Sequence, residues 1–230
     1  MGIATLIGDD FQFPPHEHAT EDGVLAIGGR LTPRSLRRAY GQGVFPWPVD
    51  AALPVLWFSP PERYIIELDK LHVSRSLRRV VRSGRFDIRF DTAFERVIRA
   101  CAVIARPRQE GTWIDERMVH AYVDLNREPI QDGIVTHSIE AWEDDRLVGG
   151  LYGVAIGGVF SGESMFSLES NASKCALVAL VEHMRSSGMA FLDCQVHTDH
   201  LESMGGRYME RDVFLERLAE ARRQPAWQHP

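Results

Sequence analysis

The sequence predicts an α+β protein in two parts. A small, loop-rich N-terminal domain spans residues 1–62, and a larger domain with a mixed, largely antiparallel sheet spans 63–230. Three observations predict this. Residues 1–62 concentrate proline, glycine and aromatic side chains, as in Phe11-Gln12-Phe13-Pro14-Pro15, Val44-Phe45-Pro46-Trp47-Pro48 and Trp57-Phe58-Ser59-Pro60-Pro61, which punctuate turns. Past those last prolines, strand-like and helix-like periods alternate. Three successive strand patterns in the middle are separated by turn-length gaps, one of them Gly157-Gly158, and such gaps join antiparallel neighbours. With 230 residues, 44% hydrophobic and 25% charged, the composition is that of an ordinary globular chain.

The elements follow in order. Thr32 as cap and Pro33 in the first turn predict a helix to about Tyr40, which Gly41 and Gly43 end. Ser74 opens an amphipathic helix that Gly84 closes, with Val73, Leu77, Val80 and Val81 on one face and Arg75, Arg78, Arg79 and Arg82 on the other. Residues 86–90 alternate as a strand. Thr92 is placed as the cap of a helix running to about Ile104, and 114–127 reads as another helix. Strands are predicted at 137–142, 147–155 and 159–166. A helix over 172–187 is expected to be capped by Ser170 or Asn171 and closed by Gly188. A strand at 192–195 and a last helix over 211–223 complete the chain.

Composition removes several function classes. No apolar run approaches the roughly 20 residues that span a bilayer, and the first residues carry no secretory pattern. Cys101, Cys175 and Cys194 lack CxxC spacing and sit in apolar contexts, the usage of a reduced cytoplasmic protein. The expectation is therefore a cytoplasmic monomer with no membrane partner. A net charge of -6 argues against nonspecific coating of nucleic acid. Residues 72–85 nevertheless hold five arginines and no acid. Like charges on one helix face repel, so this segment points to an anionic partner such as phosphate.

Two short strands have unusual chemistry: Ser161-Gly162-Glu163-Ser164-Met165-Phe166-Ser167 and Leu192-Asp193-Cys194-Gln195. Residues two apart on a strand share a face. Asp193 and Gln195 are thus expected to point one way with Leu192 and Cys194 the other, and Glu163 to share a face with Met165. An acid beside an amide is costly to bury unpaired, so a polar task is expected here. Other constellations fall short. Gly149-Gly150 and Gly157-Gly158 lack a phosphate-loop pattern. Gly162-Glu163-Ser164 departs from a nucleophile elbow, because Phe166 stands at the second glycine. His197 and His200 have loose spacing and no evident third ligand, so no metal is expected. Trp47, Trp57 and Trp113 can pack the two domains together or stack on a base.

A collinear series of motifs resembles the leucyl/phenylalanyl-tRNA–protein transferase family nearly end to end. It includes residues 22–29 (Asp-Gly-Val-Leu-Ala-Ile-Gly-Gly), 39–47, 56–60, 71–79, 111–114, 137–140, 147–154, 162–167, 171–174 and 193–195. The resemblance implies an acetyltransferase-like (GNAT) C-terminal domain. It implies transfer of leucine or phenylalanine, methionine less well, from aminoacyl-tRNA to an N-terminal Arg or Lys of acceptor proteins, creating an N-degron. No cofactor is implied.

By the same resemblance, Asp193 and Gln195 are the catalytic pair. Glu163, Trp47, Trp113 and Tyr122 bind the aminoacyl-adenosine end. Leu151, Phe160, Gly162, Met165 and Leu192 surround the aminoacyl side chain, and Arg75, Arg78, Arg79 and Arg82 contact the acceptor stem. Ser83 interrupts the basic run, with Arg85 as its expected substitute, and Arg106 and Arg108 add charge in the 102–108 segment. The competing readings are an acetyl-CoA-dependent N-acetyltransferase, which would need a glycine-rich pyrophosphate loop at a helix N-terminus, and a noncatalytic tRNA-binding protein.

Overall fold

The computed structural model describes residues 3–47, 52–104, 114–224 and 227. The N-terminal part is more ordered than its composition suggests. It forms a four-stranded sheet in the order β1-β2-β4-β3, from β1 (Ala4–Leu6), β2 (Val24–Gly28), β3 (Phe45–Trp47) and β4 (Leu56–Phe58). These strands are three to five residues long, too short to show a period among prolines and glycines. Trp57 is fully buried beneath the sheet with Leu25, Val44 and Val55, and its indole donates to the Gly28 carbonyl at 2.8 Å. It is a packing residue.

Helix α1 (Pro33–Gly41) starts where predicted. The Thr32 hydroxyl accepts the Ser35 amide at 3.2 Å, and the Ser35 hydroxyl accepts the Thr32 amide at 2.9 Å. This reciprocal capping fixes the first turn. Leu36, Tyr40 and Phe45 leave the small sheet's own core and join the main one.

The large sheet has seven strands in the order β11-β5-β10-β9-β8-β7-β6. They are β5 (Glu62–Glu67), β6 (Asp87–Phe90), β7 (Ile134–Glu143), β8 (Arg146–Ile156), β9 (Val159–Ser167), β10 (Phe191–Gln195) and β11 (Arg207–Glu210). All its neighbours are antiparallel except β9 and β10. One face is covered by α1, α3 (Phe94–Val103), α4 (Glu116–Arg127) and α7 (Arg211–Ala221). The other is covered by α2 (Arg75–Ser83) and α5 (Ala172–Ser186). The short helix α6 (Asp199–Ser203) follows β10.

Strands β5 and β11 escape the sequence pattern. The apolar run Tyr64-Ile65-Ile66 is buried on both faces, and short continuous runs carry no period. Two predicted caps also differ. The Thr92 hydroxyl turns away from α3 and donates to Glu140, whose carboxylate also receives the Thr92 and Ala93 amides at 3.1 and 3.0 Å. Neither Ser170 nor Asn171 caps α5 by its side chain. Asn171 adopts the left-handed conformation, and the Ser167 hydroxyl accepts the Ser173 amide at 3.3 Å instead.

Candidate active site

Strands β9 and β10 pair in parallel only from Phe191 opposite Val159 to Asp193 opposite Ser161. Beyond that rung both are displaced by bulges. In β9, Tyr152 of β8 faces Ser164 and Gly153 faces Gly162, so Glu163 is the extra residue. In β10, Asp193 faces Ile65 and Gln195 faces Tyr64, which leaves Cys194 as the extra one. Gln195 also has a left-handed backbone, with φ of 63°, a conformation that costs a non-glycine residue about 1–2 kcal/mol. Bulges bend strands and re-aim side chains. Here they end the pairing of the two strands beyond Asp193 and bring buried polar groups together at the junction.

The first bulge overturns one expectation. Glu163 and Met165 do not share a face: Glu163 meets Tyr122 on the α4 side, whereas Met165 packs with the core beneath α5. The extra residue shifts side-chain alternation by one position. Asp193 and Gln195 do meet, since both reach the Ser161 hydroxyl, at 2.9 and 3.3 Å.

Sequence reasoning missed Arg63. Its Nε and Nη2 donate to the two oxygens of Asp193, both at 2.9 Å, and its Nη1 donates to the Gly43 carbonyl at 2.9 Å. Its guanidinium lies between the rings of Phe45 and Phe214, 4.6 and 4.4 Å from their centroids. Arg63 and Asp193 are both buried. The available signal was an arginine directly before the apolar run Tyr64-Ile65-Ile66, where a strand entering the core tolerates only a paired charge.

The two carboxylates differ in how fully they are used. Asp193 Oδ1 accepts from Arg63 Nε and from the Gln195 amide at 2.9 Å, while Oδ2 accepts from Arg63 Nη2 and the Ser161 hydroxyl. All four of its lone-pair positions are occupied. Glu163 Oε1 accepts from Gln195 Nε2, and Oε2 accepts the Tyr122 hydroxyl at 3.0 Å. The Tyr122 hydroxyl in turn meets that of Tyr40 on α1. Burial is the main cause that lifts the Glu163 carboxyl to about 7. The Tyr40 and Tyr122 hydroxyls and the Gln195 amide pull it back down, and the Asp193 charge adds to the rise. Burial likewise pushes both tyrosines well above their usual range.

The apolar set is also contiguous. Leu151 faces Met165 and Leu192 faces Phe160 across the strands, and Leu192 lies against Gly162. These residues lie on the α5 side of the sheet, across it from Asp193 and Glu163. Trp47 stands half-buried beside Phe45 and Phe58. Tyr122 is fully buried behind Glu163 and so has no open surface for an adenosine. Trp113, Arg106 and Arg108 lie outside the described residues.

On α2, Arg75, Arg78, Arg79 and Arg82 are exposed, while Leu77 is buried and Val73, Val80 and Val81 pack on the core. Arg85 is committed elsewhere, to Glu143 and Glu169 at 2.8 and 2.9 Å, and does not extend the basic face. His197 turns to Glu202, and with Asp199 the three bring ligand atoms within 4.8 Å of one another on the surface. A cleft of about 550 Å³ lined by Arg34, Arg37, Arg38 and Arg222 contains none of the residues of the β9–β10 site.

Comparison with known proteins adds the family. Residues 65–219 match the profile of the leucyl/phenylalanyl-tRNA protein transferase, and residues 29–61 that of its N-terminal domain. Similar chains include the leucyl/phenylalanyl-tRNA–protein transferases of Anaeromyxobacter sp. (strain K), 51% identical over 93% of this chain and 89% of that one, and of Myxococcus xanthus (strain DK1622), 46% identical over 93% and 88%. That of Maridesulfovibrio salexigens is 47% identical over 98% and 92%. Two profiles that together cover nearly all of the large sheet and two of the four strands of the small one, with relatives matched along nearly their whole length, leave one assignment: the chain belongs to the leucyl/phenylalanyl-tRNA–protein transferase family.

Proposed function

We propose that this protein transfers leucine or phenylalanine, and methionine less well, from aminoacyl-tRNA to an N-terminal Arg or Lys of acceptor proteins. The product is a peptide bond and a degradation signal. The observation that carries the mechanism is the parting of β9 and β10 after Ser161 and Asp193, with buried polar groups on one side and an apolar patch on the other. An aminoacyl ester entering between the parted strands would lay its side chain against Leu151, Phe160, Gly162, Met165 and Leu192. Its carbonyl would then be left beside Gln195.

The ester is already activated, so no covalent nucleophile is needed. Holding a neutral amine against the carbonyl supplies several kcal/mol by proximity. The Gln195 amide nitrogen is spent on Ser161 and Glu163, which leaves its carbonyl oxygen to accept a hydrogen bond from the amine. Asp193 works through Gln195: it holds the Gln195 backbone amide and is itself fixed by Arg63. Trp47 and Trp113 are assigned to the terminal adenosine, and the exposed α2 arginines to the acceptor stem.

The acetyltransferase-like superfold belongs to the same reading, supported by a mixed sheet whose parallel pair parts at the site. The division at residues 62 and 63 is supported by the start of β5 at Glu62. An acetyl-CoA-dependent reaction is disfavoured by the start of α5, where the Ala172 and Ser173 amides are already taken by Glu169 and Ser167. A protein that only binds tRNA has no use for a buried carboxylate that keeps an open lone-pair position beside Gln195. The substrates place the reaction in the cytoplasm, carried out by a monomer. Among the described residues no helix is long and apolar enough to cross a membrane.

Purified protein incubated with labelled Leu-tRNA and a peptide beginning with Arg or Lys is expected to yield labelled peptide. A peptide with a blocked N-terminus is expected to yield none. No incorporation into either peptide overturns the assignment.

A further inference from the structure

Hydrogen bonding at the junction separates the two carboxylates by role. We propose that Glu163, not Asp193, receives the proton released when the acceptor amine attacks the aminoacyl ester, and that Tyr122 and Tyr40 position it for that task. This rests on the transfer reaction proposed above and adds a catalytic residue to it.

Asp193 accepts four hydrogen bonds, two of them from Arg63, and has no lone pair free for a proton. An amide such as Gln195 can accept a hydrogen bond but is not a base near neutral pH. Glu163 accepts Gln195 on Oε1 and Tyr122 on Oε2, and with the Tyr40 hydroxyl as a third donor it still keeps a lone-pair position that Asp193 lacks. It touches Gln195, whose free carbonyl faces the amine in this reading, so the proton acceptor lies one residue from the nucleophile.

Glu163 lies two residues after Ser161 and so falls on the Asp193 side by ordinary alternation, and the β9 bulge turns the residues after it, Met165 among them, the other way. The charged and titratable groups around it are Tyr122 on α4, Tyr40 on α1, Asp193 on β10 and Arg63 on β5, with Tyr152 of β8 beside Tyr122. Its carboxyl titrates at about 7, a value suited to a base that must also give its proton up.

The step balances. The amine nitrogen bonds to the carbonyl carbon as the bond from that carbon to the ribose oxygen of the tRNA breaks. The proton lost by nitrogen passes to Glu163 and from there to the departing ribose oxygen. Glu163 is left ionised for the next cycle.

The test is a pH profile of single-turnover transfer at saturating Leu-tRNA. In the wild-type protein two groups must lose protons, Glu163 and the acceptor α-amine, whose own value lies near 8. The rate is expected to fall with a limiting slope of two on the acid side. Glu163→Gln is expected to slow transfer about 100-fold or more and reduce that slope to one. Tyr122→Phe and Tyr40→Phe each remove a hydroxyl that stabilises the Glu163 anion, and are expected to move the lower limb to higher pH.

An independent readout needs no substrate. A carboxyl raised in the fold favours the neutral form, so its stabilising contribution is complete below its unfolded value and is lost as pH rises through about 7. The wild-type protein is expected to lose thermal stability relative to Glu163→Gln across that interval. If wild-type protein transfers leucine while Glu163→Gln keeps its rate and a slope of two, the proton assignment is overturned and the transfer reading stands. If Glu163→Gln changes only the KM for Leu-tRNA, Glu163 is a binding residue and the assignment is likewise overturned. If the wild-type protein transfers nothing, the reading beneath it fails first.

Discussion

The β5–β9–β10 junction and the outer face of α2 both concentrate charge, and they handle it in opposite ways. At the junction, Arg63 and Asp193 are buried, bidentate and surrounded by further donors, acceptors and ring faces. On α2, Arg75, Arg78, Arg79 and Arg82 are exposed, and none forms an ion pair among the described residues. A buried pair depends on geometry and is little screened by salt. An exposed cluster depends on an outside anion and is strongly screened. The first arrangement holds a fixed shape, while the second suits a long polyanion whose position the protein need not fix atom by atom.

The largest expected effect breaks the junction. Arg63→Ala leaves Asp193 buried without its partner and removes the cation between Phe45 and Phe214. A loss of about 3–5 kcal/mol of stability is expected, read as a lower denaturant midpoint that added salt does not recover. Arg63→Lys keeps the charge but cannot make the two parallel bonds, and is expected to recover only part of it. A midpoint for Arg63→Ala equal to that of the wild type would remove the distinction between the two regions.

Next comes the chemistry the junction supports. Gln195→Ala takes away the proposed acceptor for the amine while leaving Arg63 and Asp193 paired. Single-turnover transfer is expected to fall about 10²-fold, close to 2.7 kcal/mol of transition-state stabilisation, with tRNA affinity unchanged. Normal rates in both Gln195→Ala and Asp193→Asn would show that chemistry happens elsewhere at the junction.

The sequence foretold these two regions unequally, for physical reasons. The α2 face was legible because cap, period and charge all repeat within one helix: Ser74 accepts the Leu77 amide, Gly84 takes the left-handed closing position, and the arginines share a face. Asp193 and Gln195 were legible as a nearby pair because they stand two apart in one short strand, although the Cys194 bulge and the left-handed Gln195, not plain alternation, set how they meet. What stayed hidden depends on register and on distant contacts. The bulge that parts Glu163 from Met165 is a property of how β9 pairs with β8. The Arg63–Asp193 pair joins residues 130 positions apart. The small sheet was hidden because its strands are shorter than any period they could display.

The smallest expected effect sharpens the comparison from the other side. Each α2 arginine is one exposed positive charge on a solvated helix face, so its removal is expected to leave stability and the single-turnover rate at saturation unchanged. If each neutralises one phosphate, each substitution to Ala flattens the dependence of log affinity on log salt by about one unit. Over a rise from roughly 50 to 200 mM salt, each variant should therefore lose about threefold less tRNA affinity than the wild type does. Arg85→Ala is the internal control, because its guanidinium is already held by Glu143 and Glu169 and is expected to leave the slope as it is. Equal slopes for Arg79→Ala and the wild type, measured by equilibrium binding of Leu-tRNA, would mean that the polyanion lies on another face. A full unit of change from Arg85→Ala would mean that it reaches past the end of α2 and displaces two carboxylates to do so.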